Sequence, residues 1–277
     1  MSSETESELE TGKRGNTMKR FWTFIKHKRS DGRQIPPLKS EGLLHSEPVE
    51  KANILNNQFQ NAFSKKTNIS KEEFSNRCKM QGTTPEINDI NITVSGVEKL
   101  LSKLNPTKAA ESDNITPRVL KELAPFIAPI LTVIFKISYE SGTIPAIWKT
   151  ANICQVFKKG KQFEVINYRP ISLTCISCKL MEHIITSHIM KHADTHNILY
   201  PLQHGTWKGL SCETQLIVLV DDITRNIDAG KQTDCLIMDF SKAFDKVSHS
   251  LLQHKLDHYG IRGKTGEWIK TFLSDRS

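Results

Sequence analysis

The 277-residue sequence has no run of the roughly 18 uninterrupted apolar residues that a membrane-spanning helix requires, which excludes that class of chain. Its first twenty residues, MSSETESELETGKRGNTMKR, contain no apolar stretch of the kind a secretory signal needs, so a soluble intracellular protein is expected, with nucleus or cytoplasm left open. Basic pieces such as KHKR at 26–29 are too short to argue nuclear import. Cysteine is sparse: the six residues at 78, 154, 175, 178, 212 and 235 are scattered rather than spaced as a disulfide framework, and reduced thiols are expected. Cys175 and Cys178 form a CxxC with no second such pair and no close pair of histidines, so a four-ligand structural zinc site is not expected. No internal repeat is visible. Acidic residues are in deficit, 30 against 38 Lys and Arg, and the resulting +8 at pH 7 points weakly to polyanionic partners such as nucleic acid.

What is present reads as a globular chain of one large or two small domains, with 38% hydrophobic and 25% charged residues. Residues 1–20 are polar and mixed in charge, and are expected to form a mobile tail. Residues 21–92 read as a connector. It opens on an aromatic-basic segment from Phe21 and Trp22 to Arg29 with one short helix, passes turn signals at Asp31-Gly32 and Pro36-Pro37, and carries an amphipathic helix over 48–63. That helix starts on Pro48, suited to a first turn, and repeats apolar residues at Val49, Ala52, Leu55, Phe59 and Phe63. Ser95 and Glu98 read as a capping box before Val97, Leu100, Leu101 and Leu104. The apolar run 116–139 reads as buried helix split by Pro125 and Pro129.

Residues 151–157 and 168–173 read as the strands of a β-hairpin with a basic tip at Lys158, Lys159 and Lys161. If the strands pair, these cations and Arg169 converge on one side, where they could hold a triphosphate or a template backbone; a plain solvated turn fits the spacing equally well. Helices are expected around Leu180 to Ile189, from Cys212 to Ile227 ending at Gly230, from Ala243 to Leu256, and around Trp268 to Leu273. Between these, Cys235 to Met238 reads as an apolar strand running into Asp239. A carboxylate at such a strand end suits a metal or phosphate ligand, and equally a cap for the following helix.

Five ordered blocks carry a resemblance: LNPTKAA at 104–110, DNITP at 113–117, NYRPISL at 167–173, QHG followed by KGLSCETQ within 203–215, and DFSKAFDKVSH at 239–249. Through them, residues 93–277 resemble the reverse transcriptases of jockey-like non-long-terminal-repeat retrotransposons, and residues 21–63 resemble the connector such polyproteins carry. The resemblance implies an α/β fold in the α+β sense: helix-rich fingers and an incomplete palm of a right-hand polymerase, with a small antiparallel sheet. It implies RNA-directed DNA synthesis on an RNA template and DNA primer, with deoxynucleoside triphosphates and two Mg2+ ions. Asp239 would be the catalytic ligand to both metals, the Phe240 carbonyl would touch the second, and Phe244 would be the gate against ribose 2′-hydroxyls. Arg169 would hold the triphosphate, with Lys158 or Lys159 beside it.

The sequence also departs from the pattern. The family's AlaAspAsp block, expected downstream of Asp239, is not reached by Ser277, so the expectation is a truncated chain that does not polymerise alone. The AspAsp pair at 221–222 lies upstream within a helical run and reads as a solvated helix face. Thr206-Trp207 and Glu111-Ser112 stand where PheArg and GlyPro are usual, which looks like decay. Two further readings stay open: a non-catalytic nucleic-acid-binding module using the basic hairpin and the Phe21–Arg29 segment, and an inert relic whose open apolar face aggregates. The oligomeric state is not legible.

Overall fold

The computed structural model describes residues 35–61, 69–78, 82–205, 207 and 209–276. The expected tail at 1–20, the aromatic-basic helix from Phe21 and Thr206 lie outside them. Two compact units form. Among the described residues, one contains 35–61 together with Gln155–Pro170, and the other those within 69–154 and 171–276.

In the first unit, β1 (Leu38–Ser40) and β2 (Leu43–His45) pair antiparallel, Leu38 opposite His45, around a turn in which Glu41 and Gly42 both have positive φ. The sequence reading had this stretch as linker. Its apolar content is short, but Leu38 is fully buried against Leu55 and Tyr168, and that contact draws the segment into a hairpin. Helix α1 (Pro48–Gln60) follows with Pro48 in its first turn, as the sequence indicates. It buries Leu55, while Lys51 lays its stem inward and donates from Nζ to the Ile35 carbonyl at 2.7 Å.

The second unit is helical: α2 (Lys71–Arg77), α3 (Val94–Ser102), α4 (Pro117–Glu122), α5 (Ala124–Ser141), α6 (Ala146–Lys149), α7 (Ile176–Thr195), α8 (Cys212–Asp228), α9 (His249–His258) and α10 (Gly263–Leu273). Helix α3 begins two residues earlier than the Ser95/Glu98 box implies. Thr93 is the cap, its hydroxyl accepting from the Gly96 amide at 3.2 Å, because that start points Val97 and Leu101 into the core. The 116–139 run breaks once, at Leu123, instead of at both prolines. Pro125 sits in the first turn of α5, where no amide is missed, and Pro129 is carried inside the helix. Ala124, Ala128, Thr132, Phe135 and Tyr139 remain on one buried face, which offsets the single backbone bond lost at Pro129.

The core of this unit joins α3, α5, α7 and α10 through Leu101, Phe135, Tyr139, Met181, Trp268 and Phe272. Phe135 meets the Trp148 ring edge-on at 5.6 Å, and Trp268 stacks on Phe272 at 4.8 Å. The polar atoms that these aromatics bring inside are paired. The Trp268 indole donates to Ser138 Oγ at 3.1 Å, and the Tyr139 hydroxyl lies 2.9 Å from Thr265 Oγ1 while accepting from the Ile90 amide at 3.3 Å. Segment 84–92 docks on the α9–α10 corner, Ile87 N donating to Gly260 O at 2.8 Å. Gly260, at φ 81°, has no room for a side chain, because a Cβ there would run into the Pro85 carbonyl oxygen.

Strands β3 (Asn152–Phe157) and β4 (Tyr168–Leu173) pair as the expected two-stranded ribbon. Two expectations fail nearby. Residues 235–238 form no strand, and the helix expected from Ala243 starts only at His249, with Ser248 as its cap position. A strand must satisfy its N–H and C=O groups on a neighbour, and neither ribbon among the described residues pairs with this segment. The observed architecture is therefore helix-rich α+β with two small two-stranded sheets, and no described helix is long and apolar enough to cross a membrane.

Candidate nucleic-acid interface

The ribbon tip is a turn held by side-chain and backbone hydrogen bonds. Lys158 N donates to Asn167 O at 2.8 Å, extending the pairing one step beyond β3. The loop beyond it is held by Asn167, whose Nδ2 donates to Lys161 O and to Glu164 Oε2, each at 3.0 Å. Gly160 adopts φ 89° directly beneath that amide, and a Cβ would approach Asn167 Nδ2 to 2.7 Å, so the turn requires glycine. The Tyr168 hydroxyl donates back to Gln162 O at 2.7 Å. Sequence reasoning used Asn167 only as part of a block; a Gly-Lys turn followed by an Asn at the strand start is the signal that could have revealed this lock.

Phe157 and Tyr168 meet ring to ring at 5.7 Å and face the small core of Leu38 and Leu55. Side chains alternate along strands, so their neighbours Lys158 and Arg169 emerge on the opposite face of the ribbon. Lys158, Lys159 and Arg169 are exposed and have no ion-pair partner among the described residues. Lys161 differs, since its ammonium lies 5.7 Å from the centre of the Phe163 ring. Burial raises the Tyr168 hydroxyl above its ordinary pKa, which keeps the ring neutral beside these cations.

Asp239 occupies neither position expected for it. It lies on an exposed unpaired segment, and because α9 begins ten residues later it caps no helix. Phe240 and Phe244 are 84% and 92% exposed, beside Leu236, Ile237 and Met238 at 80% or more. Two backbone turn bonds, Lys246 N to Lys242 O at 3.1 Å and Val247 N to Phe244 O at 3.3 Å, give the local order around Phe244. Asp239, Phe240 and Phe244 belong to the second unit, whereas Lys158, Lys159 and Arg169 belong to the first. Among the described residues no three His, Cys, Asp or Glu side chains come together to hold a metal ion.

Other blocks turn out to serve local folding. In LNPTKAA, Asn105 Oδ1 accepts from the Thr107 amide at 3.0 Å; in DNITP, Asp113 accepts from Ile115 N at 3.1 Å and Thr116 caps α4. Glu111, at a departure from the pattern, pairs with Lys179 at 2.7 Å. In SCETQ, Ser211 and Thr214 exchange side-chain and backbone bonds as a capping box for α8, and His204 Nδ1 reaches Thr214 Oγ1 at 2.8 Å. Asp221 and Asp222 lie exposed in α8, Asp221 pairing with Arg225 at 2.6 Å, as expected of a solvated face.

Comparison with known proteins agrees with the block pattern. Residues 156–277 match the reverse transcriptase (RNA-dependent DNA polymerase) family, a stretch holding both the ribbon tip and Asp239. The chain is 27% identical to the probable RNA-directed DNA polymerase from transposon BS of Drosophila melanogaster, over 92% of this chain and 29% of that protein. It is 29% identical to the RNA-directed DNA polymerase from mobile element jockey of Drosophila funebris, over 67% of this chain and 20% of that protein. A retrovirus-related Pol polyprotein from the type-1 retrotransposable element R2 of Popillia japonica is 26% identical over 48% of this chain and 18% of its own length. The chain thus spans less than a third of the length of these relatives. Through residues 156–277 and these relatives, the chain is similar to the jockey-like reverse transcriptases of non-long-terminal-repeat retrotransposons.

Proposed function

We propose that the chain is the nucleic-acid- and nucleotide-facing part of an RNA-directed DNA polymerase, corresponding to fingers and the start of a palm, that acts on an RNA template with a DNA primer. The observation that carries this reading is the ribbon tip within the matched region, with Lys158 and Arg169 on one face, exposed and without an ion-pair partner among the described residues. A guanidinium offers a planar fork to phosphate oxygens and an ammonium a compact charge, so the pair suits a triphosphate or a backbone phosphate. Arg169 is the proposed triphosphate ligand, with Lys158 or Lys159 beside it. Phe244 is the proposed sugar gate, which excludes a 2′-hydroxyl by bulk.

Asp239, with the Phe240 carbonyl, is proposed as this chain's contribution to binding divalent cations, Mg2+ being the expected ion. A two-ion centre needs several oxygen ligands at each metal, and the described residues do not fit one: nowhere among them, Asp239 included, do three His, Cys, Asp or Glu side chains come together. No catalytic step is therefore derived through metal ions, and the 277-residue chain alone is expected not to polymerise. Primer extension on an RNA template with deoxynucleotides and Mg2+ tests this. Extension that Asp239→Ala abolishes would overturn the expectation of inactivity and establish Asp239 as catalytic.

A second reading, nucleic-acid binding without catalysis, is favoured by the contrast between the well-built ribbon and the unpaired 231–240 segment. RNA retention without extension supports it. Failure to retain RNA at low salt would remove both readings for this chain.

A further inference from the structure

The Cys175/Cys178 pair is assigned to none of the polymerase roles proposed above, yet its surroundings are specific. Cys175 occupies the cap position of α7 with extended φ and ψ of −60° and 156°, where a Ser or Asp would otherwise accept from the first-turn amides. Cys178 is one turn on. Both are fully buried. Residues three apart on an α-helical path have Cα atoms about 5 Å apart, inside the roughly 4.4–6.8 Å window that a disulfide spans.

The two sulfurs are differentiated by what surrounds them. Cys175 lies 3.4 Å from Ser177 Oγ, at the positive end of a 20-residue helix. The neighbouring Cys178, with Ser177, holds its thiol down to about 6, against the opposing effects of burial and the Asp113 carboxylate. Cys178 faces only acceptors: the Cys175 sulfur, the Trp148 carbonyl at 3.6 Å and Glu182 Oε1 at 3.3 Å. Its pKa is pushed far up, chiefly by the neighbouring Cys175, then by burial and the Glu182 carboxylate, so it keeps its proton. A thiolate and a protonated thiol one helical turn apart are the nucleophile and resolving partner of a dithiol couple.

We propose that Cys175 and Cys178 form a reversible redox-modification site that closes to an intramolecular disulfide on exposure to a small peroxide. In the first step the Cys175 thiolate attacks one oxygen of hydrogen peroxide and the O–O bond breaks. Cys175 becomes a sulfenic acid, and the hydroxide released takes up a proton to leave as water. In the second step the Cys178 sulfur attacks the sulfenic sulfur, the S–O bond breaks, and the Cys178 proton leaves with the oxygen as a second water. Two thiols lose two electrons to one peroxide, and a dithiol reductant reverses the change. Burial selects the oxidant: hydrogen peroxide can reach the pair through local opening at the helix start, whereas a bulky disulfide is held out.

The test uses the reduced, full-length chain. It is treated with hydrogen peroxide under native conditions, quenched, unfolded, labelled with a thiol alkylator and mapped by mass after trypsin, which leaves both cysteines in the peptide 162–179. The expected result is that this peptide appears unlabelled and lighter by two hydrogens, and that dithiothreitol restores double labelling. The rate should rise with pH through about 6, whereas the exposed Cys78, Cys154, Cys212 and Cys235 should follow an ordinary thiol near 8.5. In Cys178→Ala, Cys175 should stop as a sulfenic acid that dimedone traps. A peptide that stays doubly labelled in the native chain but crosslinks after unfolding overturns the proposal. Oxygen added to Cys175 with Cys178 still free, or a crosslink to another chain, overturns it as well.

Discussion

Salt dependence of RNA binding gives the ribbon its most direct test. Three cations at the tip, Lys158, Lys159 and Arg169, are exposed without ion partners among the described residues, while Lys161 is engaged over Phe163. Each phosphate neutralised on a single strand contributes a slope of about −0.7 to log K against log salt, so three contacts give about −2. Between about 50 and 200 mM salt that slope weakens binding roughly 20-fold. In the double variant Lys158→Ala/Arg169→Ala one contact remains, the slope falls to about −0.7, and the same change of salt costs only about threefold. The assay is fluorescence anisotropy of a labelled single-stranded RNA at four salt concentrations. Lys99→Ala, an exposed lysine on α3 of the second unit, is the control and should leave the slope unchanged. If the double variant keeps the native slope, the ribbon cations do not touch phosphate and the interface lies elsewhere.

Two further outcomes follow from the core and the thiol pair. Tyr139→Phe removes the hydroxyl that faces Thr265 Oγ1 and accepts from Ile90 N, leaving both buried partners unsatisfied, and should cost about 1–3 kcal/mol in urea unfolding. Adding Thr265→Val should then cost less than it does alone, and strict additivity would argue against the contact. Stability should also have a pH optimum that depends on the cysteines. Between about 6 and the unfolded thiol value near 8.5, the folded state has already lost the Cys175 proton that the unfolded chain retains, so stability rises with pH. Above that value the folded state keeps the Cys178 proton that the unfolded chain loses, so stability falls. Urea midpoints across this range should show the maximum in the native chain and lose it in Cys175→Ser/Cys178→Ser.

Leu236, Ile237, Met238, Phe240 and Phe244 are exposed where a buried strand and helix were expected. Cys235 to Met238 has the composition of a buried strand, but composition cannot supply the neighbouring strand that would pair with it.

What the sequence determined was everything that repeats along the chain. Helical spacing located α1, α3, α5, α7, α8 and α10, because a buried face at 3.6-residue intervals is written locally. Two apolar runs around a Lys-Gly-Lys turn located the β3–β4 ribbon, and the order of five blocks carried the family. Tertiary structure decided what depends on residues distant in sequence. Thr93 rather than Ser95 starts α3, because Val97 and Leu101 must meet a core that α5 and α10 complete. Segment 38–45 becomes a hairpin only because Leu55 and Tyr168 bury Leu38. Lys158 and Arg169 share a face because Phe157 and Tyr168 claim the other. The CxxC reads in sequence as an incomplete metal site; burial, the start of α7 and the acceptors at Trp148 and Glu182 divide it into a thiolate and a thiol. Periodicity is a property of neighbours along the chain, whereas pairing, burial and charge state belong to neighbours in space.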